Sequence, residues 1–232
     1  MTEEHAKKRL EWAKQHRNWT YTEWSKIIWS DESSIKVGKG LPSTWVFHLD
    51  QLGEKWKKDY ILLYSKNAAF SIMIWVAIWG AGHSEITFLE RDEESEKRGF
   101  TARSYIMVLE ANLYSIWEPG LEFMQDNAPI HKAGLVRKWF RDHGIPLMEW
   151  PPYSLDLNPI EHAWARLKDT IYKLDPDLAN MRGSSEEVKQ RFKELIEQAW
   201  EALGDDYFDR LIRSMDPRVN AVLEAEGWYT HY

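Results

Sequence analysis

The 232-residue chain predicts an α/β fold: a mixed central sheet with flanking helices and a C-terminal helical extension. Three observations carry that expectation. Strand-like segments cluster between residues 26 and 89, helix and strand patterns alternate from 104 to 150, and helical patterns alone follow. Hydrophobic residues make up 44% and charged residues 29%, the balance of a chain that buries one sizeable core. The longest apolar stretch, around Ile72 to Trp79, is far shorter than a membrane span of roughly 20 residues, so no membrane partner is expected.

Residues 3–17 open the chain with Ala6, Leu10 and Ala13 at helical spacing. This charged start lacks the apolar core of a signal peptide. Lys26 to Asp31 reads as a strand whose alternation puts Ile27, Trp29 and Asp31 on one face. A turn over Val37 to Pro42 and a second strand over Thr44 to His48 follow. Ala69 to Trp79, rich in β-branched and aromatic residues, predicts a buried central strand, and Glu85 to Leu89 a further one. Arg91 to Arg98 is a charged loop.

Ser104 to Trp117 reads as a helix, Leu121 to Gln125 as a short strand ending at Asp126, and His131 to His143 as a helix with Leu135, Val136, Trp139 and Phe140 on one face. Ile145 to Trp150 predicts a strand stopped by Pro151-Pro152. Asn158-Pro159 suits the start of a helix running to about Tyr172, with Asn at the N-cap and Pro in the first turn. Residues 174–184 form a linker, after which Ser184 and Glu187 predict a capping box ahead of an amphipathic stripe from Val188 to Leu203. The expected organisation is a main α/β domain over 1–174 and an acidic helical extension over 175–232 packing on it.

The formal net charge is −7, with −6 of it in residues 175–232. Taken alone, this charge argues mildly against nucleic acid as a partner, but a near-neutral body can still present a basic face, so net charge does not decide the matter. There is no cysteine, which excludes disulfides, thiolate zinc sites and cysteine catalysis.

Three carboxylates stand where strands and helices end: Asp31, Asp126 and Glu161. If the two strands are neighbours, Asp31 and Asp126 share one crevice and Glu161 approaches from its helix. Such a trio suits phosphodiester chemistry, in which two Mg²⁺ ions activate an oxygen nucleophile and stabilise the leaving group. Mg²⁺ is hard and prefers carboxylate oxygens. Each residue also has a structural reading. Glu161, three residues after Asn158, suits a capping role, and Asp31 and Asp126 suit strand-end turns. Glu32 points to the opposite face from Asp31, and Asp156 reads as a loop-ordering residue.

Three segments carry a resemblance: Trp29-Ser-Asp31-Glu-Ser33, Phe123-Met-Gln-Asp126-Asn-Ala-Pro-Ile-His131, and Trp150 to Trp164 with Asn158-Pro-Ile-Glu161 inside it. Together they resemble the catalytic domain of mariner-superfamily DDE transposases, most closely the fungal members. The 34 residues between Asp126 and Glu161 fit one major branch. The resemblance runs from about residue 5 to residue 175. It implies an RNase H-like fold in which Asp31, Asp126 and Glu161 hold two Mg²⁺ ions, for which Mn²⁺ can substitute. It further implies cut-and-paste transposition: hydrolysis at transposon ends, then attack of a 3′-hydroxyl on target DNA at a TA dinucleotide, by a homodimer on DNA in the nucleus. Asn127 and His131 are then expected beside the site, orienting a ligand or DNA.

Two departures from the family pattern stand out. The family carries tandem helix-turn-helix domains ahead of the catalytic domain, and Asp31 lies too near the start for them, so their absence is expected here. Leu155 replaces a proline of the family's loop, which loosens the approach to Glu161. Candidate DNA contacts are Lys132, Arg137, Lys138 and Arg141 after Asp126, Arg166 and Lys168 after Glu161, and Lys55, Lys57 and Lys58 around Trp56; each group also suits a solvated charged face. The alternative functions are an RNase H-like nuclease that does not join, and a domesticated, non-catalytic assembly module.

Overall fold

A computed structural model describes residues 1–37, 70–80, 82–96, 98–176, 178 and 184–232. The strand expected over Thr44 to His48, the turn up to Pro42, and the Lys55, Lys57 and Lys58 cluster lie outside the described residues. Helix α1 spans Glu3–His16, capped by Thr2, and α2 spans Tyr21–Trp24. The sequence reading passed over α2, although Thr20 and Glu23 form the capping box that announces it. Strands β1 (Ile27–Val37) and β2 (Phe70–Trp79) form the long antiparallel centre of the sheet, with Asp31 opposite Val76. Strands β3 (Gly82–His83) and β4 (Thr87–Phe88) both pair with β2, in place of the single strand expected over Glu85 to Leu89.

Helix α3 (Ala102–Ile116) leads to β5 (Glu122–Met124), which runs parallel to β1 through Ile28 and Phe123. Helix α4 covers Gly134–Asp142. Ile145 to Trp150 is not a full strand; only a bridge between Phe123 and Leu147 forms. Pro146 has no N–H to give, and the flanking bonds are Phe123 N–H to the Pro146 carbonyl and Met148 N–H to the Phe123 carbonyl. Helices α5 (Ile160–Leu174), α6 (Glu186–Glu201), α7 (Asp205–Arg213) and α8 (Met215–Glu224) complete the fold. The cap of α6 is Ser185, one residue later than expected, and its hydroxyl accepts from Val188 N–H.

The pleat of β1 divides the core in two. Ile27, Trp29 and Ile35 face α1 and α5 to α8, in a cluster that includes Trp164, Phe192, Trp200 and Phe208. Ile28, with Trp75 and Ala77 of β2, faces α3 and α4, meeting Leu109, Trp139 and Phe140. The acidic C-terminal helices therefore share the apolar core of β1 and β2. Tryptophans form much of it: Trp12, Trp24 and Trp29 pack in series, tilted by 38° with centroids 6.0 Å apart at each step. Leu135 departs from its expected place on the buried face of α4 and is half exposed, because Val136, Trp139 and Phe140 already fill the contact with α3. Among the described residues no helix is long and apolar enough to cross a membrane.

Candidate active site

Asp31 does not end its strand. It lies in the middle of β1, whose polar run Ser30 to Ser34 continues in extended form because β2 pairs with it through to Val37. Pairing with a neighbour overrides the weak strand propensity of these residues. The pleat aims Asp31 toward α5, where Trp164 Nε1 donates to Asp31 Oδ2 at 2.8 Å. Burial pushes the Asp31 carboxyl up to about 8, the charges of Glu32 and Glu161 add to that, and the Trp164 hydrogen bond opposes it.

Glu161 occupies the first turn of α5. The cap is not the expected one. Pro159 holds the N-cap position without a side-chain bond, and Asn158 Oδ1 accepts from Ile160 N–H at 3.3 Å. Glu161 closes no capping interaction there. Burial raises its pKa, Lys168 lowers it and Asp126 raises it, for a net rise.

Asp126 lies two residues beyond β5 rather than at its end, in the turn leading to α4. Its Oδ1 accepts from the Ala128 N–H at 2.8 Å and from His131 Nδ1 at 2.6 Å. Burial raises its pKa, but these hydrogen bonds outweigh it and hold the carboxyl below its ordinary value. Among the described residues both of these bonds fall on Oδ1. His131 is buried, with Nε2 3.4 Å from Glu32 Oε1 and the Tyr105 ring 4.3 Å away. Burial favours the neutral ring, yet Asp126 and Glu32 together raise its pKa to about 10, which favours the charged ring. Asn127 faces away from this pair and donates to the Trp150 carbonyl at 2.9 Å.

The three carboxylates thus lie within reach of one another's charge, Asp31 with Glu161 and Glu161 with Asp126. They are not drawn together into a ready-made cage: among the described residues no three acidic or histidine side chains converge on a metal position. The donor chemistry nevertheless fits a hard divalent cation. All are carboxylate oxygens, and two are held above their ordinary range by burial and like charge, a tension that a cation relieves.

The basic candidates divide. Lys132, Arg137 and Arg141 are exposed and, among the described residues, carry no ion pair. Lys138 is bonded to Asp142, and Arg166 lies 3.7 Å from Asp169, as expected of a solvated charged face. Lys168 is exposed and near enough to Glu161 to lower its pKa. Sequence reasoning missed Trp164, although its place one turn after Glu161 on a helix was readable. Glu32 points to the opposite face from Asp31, as its alternation predicts, and there it meets His131.

The DDE superfamily endonuclease family matches residues 26–177, the span holding all three carboxylates. The Tcb1 transposase of Caenorhabditis briggsae is 33% identical over 230 residues, covering 97% of this chain and 77% of that protein. The Tc1 transposase of Caenorhabditis elegans is 32% identical over 228 residues with the same coverage. The Mos1 transposase catalytic domain with raltegravir and Mn superposes on the whole chain with a TM-score of 0.64 at 20% identity, over 98% of its length. The Mos1 paired-end complex with the left transposon end gives 0.72 at 18% identity, and there the chain spans 65% of the Mos1 chain. These superpositions show the RNase H-like fold. The chain belongs to the DDE superfamily endonucleases, as the catalytic domain of a mariner-superfamily cut-and-paste transposase.

Proposed function

We propose that this domain hydrolyses phosphodiester bonds at transposon ends and transfers the freed 3′-hydroxyl into target DNA, using divalent cations held by Asp31, Asp126 and Glu161. The observation that carries this reading is the placement of three electrostatically coupled carboxylates on β1, after β5 and on α5, inside the family match. The relatives support the rest. Mos1 structures are described with Mn and with Mg, as paired-end complexes and as a strand transfer complex. Two Mg²⁺ ions, a homodimer on paired ends and action in the nucleus extend the same reading. A bound divalent pair supplies charge neutralisation at the phosphate and a deprotonated oxygen nucleophile.

The chain's own residues prepare that site. Trp164 fixes the rotamer of Asp31 by its indole N–H. His131 and the Ala128 N–H hold Asp126 ionised and present its second oxygen. Helix α5 presents Glu161 from its N-terminal turn, where the helix dipole favours the carboxylate. Lys132, Arg137 and Arg141 offer an exposed cationic stripe to the DNA backbone.

The test is a paired cleavage and joining assay. A duplex ending in a pre-cut 3′-hydroxyl is incubated with supercoiled target DNA and Mg²⁺ or Mn²⁺. Joined product from wild type and none from Asp31→Asn is expected. Cleavage without joining would leave a nuclease. Neither, from a folded chain, would favour the assembly module.

A further inference from the structure

We propose that Arg9, on the first helix of the chain, is a positioning residue for Glu161, acting through Asp156; the inference rests on Glu161 being a metal-holding carboxylate. Arg9 is fully buried and meets Asp156, 147 positions further along the chain. Its two terminal nitrogens meet the two Asp156 oxygens as a fork, each at 2.7 Å. The same guanidinium donates to the Tyr153 carbonyl at 2.9 Å and to Ser154 Oγ at 3.0 Å. Its remaining donors reach the Gly227 carbonyl at 2.8 Å and the Trp228 carbonyl at 3.3 Å. One side chain therefore ties α1, the loop before α5 and the C-terminal segment together.

The loop is held from the far side as well. Arg218 of α8 donates to the Asp156 carbonyl at 2.5 Å, and Thr230 gives Asp156 Oδ2 both its N–H and its hydroxyl at 2.9 and 3.0 Å. Between Asp156 and Glu161 there is little slack. Leu157, Asn158 and Ile160 are buried, Asn158 N–H bonds the Leu155 carbonyl, and Glu161 N–H bonds the Asn158 carbonyl. Tyr153 sits at φ +56°, a left-handed conformation costly for a side-chain-bearing residue, and Arg9 holds its carbonyl. Gly227 serves the same junction: at φ +86°, a Cβ there would lie 2.0 Å from the Ala6 carbonyl oxygen of α1.

Burying an ion pair adds little net stability over an apolar pair of the same shape. What the fork adds here is geometry, since no apolar residue binds three carbonyls, a hydroxyl and a carboxylate at once. This also explains how the loop tolerates Leu155. That side chain is 68% exposed, so the loop is ordered by Arg9, Arg218 and Thr230 rather than by a residue at 155.

The experiment compares Arg9→Lys, which keeps the charge and loses the fork, with Leu113→Ala, a variant in the core on the opposite face of the sheet, chosen to match its loss of Tm. Mn²⁺ binding is followed by the free-ion electron paramagnetic resonance signal, beside kcat and KM for Mn²⁺-dependent nicking of duplex DNA. Arg9→Lys is expected to weaken Mn²⁺ binding about tenfold and to lower kcat, as loss of an outer support of a metal ligand does, while Leu113→Ala leaves Mn²⁺ affinity unchanged. Equal affinity in both variants would overturn the inference and leave Arg9 as a structural residue. If Arg9→Lys fails to fold, Ser154→Ala removes one Arg9 bond and keeps the ion pair; about threefold weaker Mn²⁺ binding is expected, and wild-type affinity would overturn the proposal. Asp31→Asn separates the two levels. If it binds Mn²⁺ as wild type does, the metal site itself is wrong and the inference falls with it. If it loses Mn²⁺ while the Arg9 and Ser154 variants do not, only the inference falls.

Discussion

Trp164 and Asp31 are joined by an indole N–H to carboxylate hydrogen bond of 2.8 Å, across the interface between α5 and β1. The bond ties the helix that carries Glu161 to the strand that carries Asp31. It favours the charged form of Asp31, against burial that favours the neutral one. Trp164→Phe removes it and keeps most of the packing. The variant should lose about 2 kcal/mol of stability where Asp31 is ionised, above pH 8, and less at pH 6. Urea unfolding at the two pH values decides this; equal losses would mean that Trp164 contributes packing alone.

Asp31 itself is costly to the metal-free chain. Its folded pKa of about 8 lies above the unfolded value near 4, so the sign is destabilising. The penalty is absent below pH 4, grows as the unfolded chain releases its proton, and is full above pH 8. Asp31→Asn should therefore raise the metal-free Tm, more at pH 9 than at pH 5, by an energy on the order of a few kcal/mol. It should abolish metal-dependent cleavage at the same time. Calorimetric scans across that range, run beside the nicking assay, check both halves. A variant that is less stable than wild type at pH 9 would contradict the burial argument.

Much of this geometry was legible before any coordinates. The alternation of Ile27, Trp29 and Asp31 placed the carboxylate on the face that meets α5, and the stripe from Val188 to Trp200 announced the helix that packs there. What stayed hidden depended on contacts distant in sequence. Nothing local in Glu32 to Ser34 says strand; β2 imposes it. Ile145 to Trp150 fit a strand, yet only Leu147 bridges to Phe123. Asp156 reads as a loop-ordering residue, but only folding, which brings residues 147 positions apart together, pairs it with Arg9 in the interior.

That pair predicts an acid-sensitive limb. Burial alone would raise the Asp156 pKa, but the Arg9 fork and the Thr230 donors outweigh it and leave the carboxyl below its ordinary value. The stabilisation is complete above the unfolded value near 4 and is lost as pH falls through the depressed folded value. Asp156→Asn should lower stability at pH 7 by about 3 kcal/mol, because it leaves a buried guanidinium without its counter-charge. It should also flatten the dependence of stability on pH below 4. Acid titration followed by circular dichroism tests this. A variant as stable as wild type at neutral pH, with the same acid midpoint, would remove the pair from any account of the loop.

The exposed stripe on α4 gives the prediction that bears on DNA. Val136, Trp139 and Phe140 bury one face of the helix, which leaves Arg137 and Arg141 one turn apart on the other, without ion pairs among the described residues. Lys138 lies beside them but is bonded to Asp142, so it is the internal control. If the stripe follows the phosphate backbone, each freed arginine releases about one counterion on binding. Arg137→Gln with Arg141→Gln should weaken duplex binding uniformly across sequences and make the slope of log affinity against log salt shallower by about 2. Lys138→Gln should change the slope by much less, since its charge is already matched. Fluorescence anisotropy over a salt series reads both numbers without requiring cleavage. An unchanged slope in the double variant would mean that α4 faces solvent in the complex and that DNA approaches from Lys168 and the α5 side instead.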